Sequence, residues 1–352
     1  MTSSENVSET ELRWPAEWEP HAATWLSWPH NPETWPGHLA EARREYTQIV
    51  AALAGREALR MLVLDAAAEE GARRELERAG VDPDRHVEFL QVPTNDSWIR
   101  DYGPIFVEGG APRHFRFDAW GGKYPPWEAD ARAAALAATK LGIELAPVDF
   151  VLEGGSIEGN GAGCVMTTES CLLHPNRGAG RTREGIEAQL AAALGTRQVV
   201  WLANGIAGDD TDGHIDDLAR FVGPETIVAV SHANAGDPDA PILAENLRRL
   251  RSARAPSGRP FEIVTLPAPP PHVIAGERCP ASYANFYLAN GVVLVPSFAA
   301  PTDERVLEIF AELLPERETV GVPCGALVQG LGAVHCLTQQ EPAGANRANS
   351  TS

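Results

Sequence analysis

The residues with the clearest chemical potential lie in an acid-rich loop, residues 208–217, which carries one histidine, His214. Several carboxylates crowd around that imidazole, and a fold tolerates such repulsion more readily where a cation binds. The spacing of His214 and Asp216 puts both side chains on one face of an extended segment. A solvated acidic turn with a surface histidine is the alternative. The loop therefore predicts a site for a cation, either a metal ion or an organic guanidinium or amine.

Three further residues would complete a reactive set if the loops that carry them meet. Asp96 and Glu153 each follow a predicted strand, and Cys336 lies beside the last glycine-containing loop. A thiol beside a histidine, with carboxylates around them, is the equipment of covalent catalysis. A cysteine attacks as the thiolate, whose formation the carboxylates oppose. A cationic substrate removes this conflict, which points to an amidine or guanidine held bidentately by two carboxylates.

The elements that must position these residues recur along the chain. Each unit reads as an apolar strand, a Gly- or Asp-rich loop, a hairpin and an alanine- or leucine-rich helix. The strands before the loops are predicted at residues 87–92, 146–152, 198–202, 261–266 and 319–322. The hairpin turns are predicted at residues 108–110, 159–161, 223–225 and 289–291. The helices that follow are predicted at residues 128–141, 183–194, 240–251 and 303–313.

Five such units imply a particular architecture. A unit that cannot bury its own sheet face packs on its neighbours, so five units closed in a ring would bring all their loops to one central pore. The equivalent loop points are Asp96, Glu153, His214, Asn285 and Cys336. An open α/β sheet built from the same elements is the alternative.

The composition excludes several classes of function. The chain has 352 residues, 44% of them hydrophobic, and a formal net charge of −19. That charge argues against nucleic acid and anionic membrane as partners and favours a cationic small molecule. No apolar run approaches the length of a membrane span, and the first residues lack the pattern of a signal peptide. Five cysteines without a C-x-x-C pair predict reduced thiols and a cytoplasmic location.

The expected domain organisation is simple. No Pro/Ser-rich linker or charge block divides the interior, so residues 13–340 are predicted to form one catalytic domain. The polar ends, residues 1–12 and 341–352, are predicted to be disordered. The sequence leaves the formation of a homo-oligomer open.

Seven motifs, in order along the chain, give it a family resemblance. They read RWPAEWEPH, NDSWIRDYGP, WGGKY, LEGG, TTESCLL, TDGHID and HCLTQQ, and they cover residues 13–21, 95–104, 120–124, 152–155, 167–173, 211–216 and 335–340. Together they resemble the agmatine deiminase family. The resemblance implies a five-bladed α/β propeller, the pentein fold. It also implies hydrolysis of agmatine to N-carbamoylputrescine and ammonia, a step of putrescine and polyamine biosynthesis, with no metal and no organic cofactor.

The resemblance assigns roles to five residues. Cys336 would be the nucleophile, and His214 would be the general acid and base. Glu153 would orient and charge His214, while Asp96 and Asp216 would grip the guanidinium.

Six other residues are considered for roles around this centre. Asp210 or Asp212 would meet the distal ammonium of agmatine, and Trp98 and Trp120 would stack near the entrance of the pocket. An ion pair between Arg100 and Asp101 is expected to fix the first loop, with Asp101 as the alternative to Asp96 for the substrate.

Two departures from the family pattern leave the substrate tail open. Residues 330–334 read GLGAV where GGGNI is frequent, and Glu158 stands where a histidine is common. Both are expected close to the pocket. A deiminase of another guanidine, such as peptidyl-arginine at a chain terminus, is therefore the first alternative.

Two alternatives come from other classes of protein. One is a metal-dependent hydrolase, and its ligands would be His214, Asp216, Asp210 and Asp212. That hypothesis leaves Cys336 without a role, and the chain has no H-E-x-x-H motif. The other is a non-catalytic binding protein, which has no need of a cysteine and a histidine together.

Overall fold

The computed structural model describes residues 11–345, and three consecutive segments of this chain repeat one arrangement. In each segment a pair of antiparallel strands forms a hairpin, a helix follows, and a third strand lies parallel to the second strand of the hairpin. The first segment comprises Glu158–Gly159, Cys164–Thr168, Arg183–Leu194 and Gln198–Leu202. The second comprises Ala219–Phe221, Thr226–Ser231, Asp239–Ser252 and Glu262–Pro267. The third comprises Tyr287–Ala289, Val292–Ser297, Asp303–Leu313 and Glu318–Pro323. The predicted hairpins, helices and final strands of these units are confirmed.

An earlier segment of the chain keeps the same order with a reduced hairpin. Ile105 and Arg113 form a single antiparallel bridge, so the hairpin predicted around residues 108–110 is wrong in extent. The reason is a competing partner, because the backbone of Glu108 exchanges hydrogen bonds of 2.8 and 3.1 Å with Arg13. The remaining elements of this unit are Arg113–Arg116, Asp130–Leu141 and Ala146–Val151.

The two ends of the described chain meet in one sheet. Thr338–Pro342 pairs antiparallel with His21–Ser27, and Ala58–Val63 and Val87–Gln91 extend this sheet as parallel strands. The helices between these strands are Leu39–Leu53 and Ala66–Arg78. The pairing of the first strand with the last brings the start of the chain beside the segment that carries Cys336.

The last strand corrects the expected boundary of the C-terminal tail. The predicted disorder of residues 341 and 342 is wrong, because both belong to the strand that ends at Pro342. Glu341 is buried there and accepts a hydrogen bond of 2.8 Å from Trp25 Nε1. Residues 11, 12 and 343–345 of the predicted tails are described too, and the Ala343 N–H donates to Pro20 O at 2.8 Å; residues 1–10 and 346–352 lie outside the described residues.

Capping residues set the ends of the helices between the strands. Thr182 Oγ1 accepts the Gly185 N–H at the start of Arg183–Leu194, and Gly195 ends that helix with a φ of 70°. A left-handed glycine at this position satisfies the last carbonyl groups without the steric cost that a side chain would add. The chain can therefore turn back sharply into the next strand.

Short helical turns carry the residues of the sequence motifs. Three of these turns lie in the loops that follow strands: Ile99–Tyr102, Gly154–Ser156 and Ile215–Asp217. A fourth, Leu327–Gly330, precedes Cys336. Other short elements are Pro83–His86, Ala119–Gly122, Glu169–Leu172, Pro175–Arg177 and a hairpin of His272–Ile274 with Glu277–Cys279. The structure is a mixed α/β fold. None of the helices within residues 11–345 is long and apolar enough to cross a membrane.

Candidate active site

The motif loops meet at a cavity of about 1010 Å³. Its wall includes residues from several motif segments, among them Asp96, Asp101, His214, Asp217 and Cys336. Most of these residues are far apart in sequence, so only the folded chain brings them together. Three of the five predicted loop points, Asp96, His214 and Cys336, lie at this cavity, whereas Glu153 and Asn285 are not part of its wall.

Cys336 lies at the buried end of the site. It is only 8% exposed, and its Sγ is 3.1 Å from Asn285 Nδ2 and 3.7 Å from Asp216 Oδ2. Burial raises the pKa of the Cys336 thiol well above its ordinary value, and the charges of Asp216 and Asp217 raise it further. The thiol is therefore protonated at neutral pH in the absence of a bound cation.

His214 is buried and lines the same cavity as Cys336. Its Nδ1 is 3.8 Å from Asp101 Oδ1, and its Nε2 has no hydrogen-bond partner among the described residues. Burial lowers the pKa of His214 to about 3, although Asp216 opposes the shift. The imidazole is accordingly neutral at pH 7.

Gly155 allows three acid–base groups to stand together. A Cβ at this position would lie 2.7 Å from His214 Nδ1, 2.8 Å from Asp101 Oδ1 and 3.0 Å from Asp216 Oδ2. The first two of these contacts are shorter than side-chain carbons tolerate, so any other residue would displace the cluster. The glycine of the LEGG motif is therefore required by the close approach of these side chains.

Asp101 is oriented from two sides. Its Oδ1 accepts the Gly155 N–H at 2.9 Å, and its Oδ2 accepts Trp120 Nε1–H at 2.9 Å. Burial raises the pKa of Asp101 to about 8, and the charge of Asp216 adds to this shift. The predicted ion pair between Arg100 and Asp101 is wrong, because Arg100 contacts Glu17 and Gln340 on the other side of the loop.

Asp216 offers one free oxygen to the site. Its Oδ2 contacts His335 Nδ1 at 2.7 Å, while Oδ1 has no hydrogen-bond partner within residues 11–345. Burial alone would raise the pKa of Asp216, but the hydrogen bond from His335 and the charges nearby outweigh it and lower the pKa below its ordinary value. A buried carboxylate with an unused oxygen is a binding group for a cationic donor.

The acidic loop is largely a folded part of the site. Asp216 and Asp217 are buried, and Asp217 Oδ1 accepts Asn285 Nδ2–H at 3.1 Å. Asp209 closes the loop by accepting the backbone N–H groups of Thr211 at 2.8 Å and His214 at 3.2 Å. The structure therefore differs from a solvated acidic turn.

Glu153 is fully buried, but its hydrogen-bond partner is an arginine. Arg177 Nε contacts its two carboxylate oxygens at 2.8 and 3.1 Å. No hydrogen bond joins Glu153 to His214 within the described chain, although the two side chains come within 4.8 Å of each other. The predicted orienting contact on His214 is thus replaced by an ion pair next to it.

Three residues of the predicted site lie at the cavity wall, outside the cluster around Gly155. Asp96 accepts hydrogen bonds from Thr34 Oγ1 and from the Ser97 N–H, the latter at 2.7 Å. Asp210 accepts one from the Tyr124 hydroxyl. Trp120 lines the cavity, and its indole N–H is used by Asp101. The hydrogen bonds of Asp96 are therefore made to residues of the wall, whereas Asp101 belongs to the cluster around Gly155.

The four ligands of the metal hypothesis do not form a cluster. Asp212 is held by Lys123 at 2.8 Å and by Arg177 at 2.5 Å, while Asp210 contacts Tyr124. Within the described chain the one group of possible metal ligands is Glu153, Cys171 and His214. Arg177 already places a cation on Glu153, so a divalent ion there would meet like charge.

Sequence reasoning missed several functional neighbours of these residues. Glu17 and His335 belong to two of the motifs listed above. Each is a polar residue with apolar or aromatic neighbours in the sequence, and this pattern could have indicated a buried functional side chain. Arg177 carries no such signal, because nothing local indicates that its side chain reaches Glu153. Asn285, which the sequence identifies only as a loop point, donates to Asp217 and contacts the Cys336 thiol.

The two departures from the family pattern have different consequences. Glu158 is buried away from the cavity wall, where it forms an ion pair with Arg220 at 2.7 Å. Gly330 and Leu331 do line the cavity, and Gly332 lies against Trp98. Only the glycine segment can therefore influence the substrate directly.

Comparisons with known proteins show which family this chain resembles in sequence and fold. Residues 13–342 match the family of Porphyromonas-type peptidyl-arginine deiminases. An agmatine deiminase of Ectopseudomonas mendocina is 35% identical over 94% of this chain and 95% of its own length. The structure of a C. jejuni agmatine deiminase variant with substrate bound is 30% identical, with a TM-score of 0.85 over 94% of this chain and 96% of the other. An agmatine deiminase of Enterococcus faecalis, also 30% identical over 94% and 96% of the two chains, has a TM-score of 0.88.

Proposed function

This chain belongs to the agmatine deiminases of the Porphyromonas-type peptidyl-arginine deiminase family, and we propose that it hydrolyses agmatine to N-carbamoylputrescine and ammonia. The observation that carries the proposal is the buried niche around Cys336, in which Asp101, Asp216 and Asp217 surround the thiol. Such a concentration of buried carboxylates is suited to a substrate that brings its own positive charge. The product would enter putrescine and polyamine biosynthesis.

Asp101 and Asp216 are the proposed guanidinium ligands. Asp101 Oδ1 and Asp216 Oδ2 both lie beside the position that a Cβ of residue 155 would occupy. Asp216 Oδ1 has no hydrogen-bond partner within the described chain. Two carboxylates can hold two edges of a planar guanidinium, which leaves its central carbon open to attack from the face. Asp101 replaces Asp96 in this role, because Asp101 lies 3.8 Å from His214 and its charge acts on Cys336, whereas Asp96 is bonded to Thr34 and Ser97 at the wall.

The first chemical step proposed is attack by sulfur. Cys336 gives its proton to neutral His214, and Sγ forms a bond with the guanidinium carbon. His214 then gives a proton to one terminal nitrogen, the C–N bond breaks, and ammonia leaves. The bound cation favours the thiolate at the moment of attack, because it offsets the carboxylates that raise the pKa of the thiol.

The second step proposed is hydrolysis of the amidino-cysteine. His214 removes a proton from water, and the resulting oxygen nucleophile attacks the same carbon. The C–S bond breaks and the sulfur takes one proton back from His214, while the proton that remains on the new hydroxyl group passes to solvent and leaves the neutral urea group of the product. Glu153 stabilises the transient imidazolium by its charge, across the gap of up to 4.8 Å between them.

The tail of the substrate is proposed to be an amine with no carboxylate. Both cationic side chains at the described cavity wall are already paired, Lys123 with Asp212 at 2.8 Å and Arg278 with Asp237 and Asp239 at 3.0 and 2.6 Å. A substrate carboxylate would have to compete with these acids. Asp210 remains the proposed contact for the distal ammonium.

A five-bladed propeller is the architecture proposed for this activity. The five repeated units, from the sheet that joins the chain ends to the unit of Asp303–Leu313, would be its blades. The single domain would then run from residue 13 to Pro342, two residues beyond the expected boundary.

The experiment that tests the function is a substrate comparison. Agmatine, free arginine and a peptide with a C-terminal arginine are each incubated with the protein, and ammonia and the ureido products are quantified. The expected result is N-carbamoylputrescine from agmatine, at a kcat/KM at least about 100-fold above that for either carboxylate-bearing substrate. If the peptide is turned over preferentially, the substrate is peptidyl-arginine and not agmatine. If none of the guanidines yields ammonia, the protein is not a deiminase.

A further inference from the structure

His335 is buried between two carboxylates. Its Nδ1 lies 2.7 Å from Asp216 Oδ2 and its Nε2 lies 2.9 Å from Glu17 Oε2, and all three side chains are at most 3% exposed. Both distances are those of hydrogen bonds to charged groups. The imidazole therefore connects the first motif of the chain to the acidic loop.

Two hydrogen bonds between these three groups require two protons. A neutral imidazole carries a single N–H and can donate to one carboxylate only. The second bond needs either the imidazolium or a protonated carboxyl group. In each of these states Asp216 Oδ2 is committed to His335, so the geometry of Asp216 does not depend on where the second proton resides.

Glu17 is the fixed end of this connection. Its Oε1 accepts the Leu288 N–H at 2.9 Å and lies 2.7 Å from Arg220, while Arg100 contacts Oε2 at 3.1 Å. Burial would raise the pKa of Glu17, but Arg220 and His335 outweigh it and lower that pKa well below its ordinary value. A carboxylate held by so many donors cannot rotate, and His335 is held with it.

We propose that His335, anchored by Glu17, is the positioning residue that fixes Asp216 with Oδ1 turned to the guanidinium. The inference rests on the proposed function, since it assigns a purpose to the unused oxygen of Asp216. Without the hydrogen bond from His335, the Asp216 carboxylate would keep, among the described residues, only the long contact of its Oδ2 with Cys336 Sγ at 3.7 Å. Neither His335 nor Asp216 is among the residues of the cavity wall, but Asp216 is the nearer of the two to the reactive group, because its Oδ2 lies 3.7 Å from Sγ of Cys336, which does line the wall.

Two substitutions of His335 separate positioning from simple packing. His335→Asn keeps a side-chain amide near the position of Nδ1 and so retains a donor for Asp216. His335→Gln places its amide near the position of Nε2, toward Glu17, and removes the donor to Asp216. We expect the Gln variant to lose about 10- to 100-fold in kcat/KM for agmatine, chiefly through a higher KM, and the Asn variant to stay within about tenfold of wild type.

The controls distinguish failure of this inference from failure of the proposed function. If kcat/KM falls equally in the two variants, and their melting temperatures also fall equally, His335 contributes only to packing and the inference is wrong. If the Gln variant does not fold, Glu17→Gln removes the anchoring charge instead, and an unchanged KM in that protein would overturn the inference. A wild-type protein without activity on any guanidine would instead reject the proposed function, and the positioning role with it.

Discussion

Trp120 Nε1 donates a hydrogen bond of 2.9 Å to Asp101 Oδ2, and this contact fixes the carboxylate 3.8 Å from His214 Nδ1. The indole reaches Asp101 because Trp120 adopts a φ of 58°, a left-handed backbone conformation that is unusual for a bulky residue. Such a conformation persists where the surroundings enforce it, and it is frequent at functional sites. A tryptophan expected to stack near the entrance of the pocket thus contributes a hydrogen bond to the proposed guanidinium ligand.

Replacement of Trp120 by phenylalanine tests this contact. Trp120→Phe keeps an aromatic ring but removes the donor to Asp101, so we expect kcat/KM for agmatine to fall by about 10-fold or more. Trp201→Phe is the matched control, because Trp201 Nε1 also donates to a carboxylate, Glu187 at 2.8 Å, away from the cavity wall. Steady-state kinetics of both proteins provide the comparison. Equal activity of Trp120→Phe and wild type would show that Asp101 is held without the indole.

The close contacts of Gly155 lead to a second prediction. Gly155→Ala would place a methyl group 2.7 Å from His214 Nδ1 and 2.8 Å from Asp101 Oδ1, and these groups would have to move apart. We expect activity to fall at least about 100-fold, because small displacements of reacting groups are costly. Gly71→Ala is the control: nothing lies near its Cβ position within the helix Ala66–Arg78, and the change should stabilise the protein by about 0.5–1 kcal/mol. An active Gly155→Ala enzyme would contradict the proposed arrangement.

The two aspartates of the NDSWIRD motif are expected to differ in importance. Asp101→Asn removes a buried acid that faces Cys336 and His214, and kcat/KM should drop by roughly 100-fold or more. Asp96→Asn alters a carboxylate held by Thr34 and Ser97 at the wall, and we expect a loss below about tenfold. Parallel kinetic measurements of the two variants decide between them. The reverse order would restore Asp96 as the guanidinium ligand.

Binding of a guanidinium is expected to release a proton at pH 7. The pKa of Asp101 is raised to about 8, so its carboxyl group is mostly protonated in the free protein at this pH. A bound cation favours the ionised carboxylate, and up to about one proton per ligand should therefore leave. The release should fade as the pH rises above the raised pKa, because the free carboxyl is then already ionised.

Calorimetry of the inactive Cys336→Ser protein measures this release without turnover. Agmatine is titrated at pH 7 in buffers with different ionisation enthalpies, and the slope of the observed enthalpy gives the number of protons. Asp101→Asn in the same background should abolish most of the release. A slope near zero in the Cys336→Ser protein would show that Asp101 is ionised before the ligand arrives.

Local patterns in the sequence predict the repeated elements well, because the signals are periodic and are reinforced by caps. The helix Arg183–Leu194 has Thr182 before it and Gly195 after it, and its predicted bounds agree with the structure. The reduced hairpin near Glu108 could not be foreseen in the same way. Its backbone pairs with Arg13, a partner far away along the chain that no local pattern reveals.

The site shows the same division between local and long-range information. Three of the five loop points that the sequence identifies, Asp96, His214 and Cys336, lie at one cavity, as expected for loops at equivalent positions of repeated units. Which carboxylate contacts which group depends on packing between distant segments. The pairing of Glu153 with Arg177 and the placement of Asp101 beside Gly155 are of this kind, and spacing along the sequence contains no trace of either.

The most direct test of covalent catalysis is the rate of agmatine turnover, in the presence of EDTA, by two cysteine-to-serine variants. Cys336→Ser removes the proposed nucleophile, whereas Cys279→Ser changes another buried cysteine at the same cavity wall. We expect Cys336→Ser to lose turnover by at least about 1000-fold while still binding agmatine, and Cys279→Ser to stay close to wild type. Substantial turnover by Cys336→Ser would contradict attack by this thiol and would require a different nucleophile at the cavity.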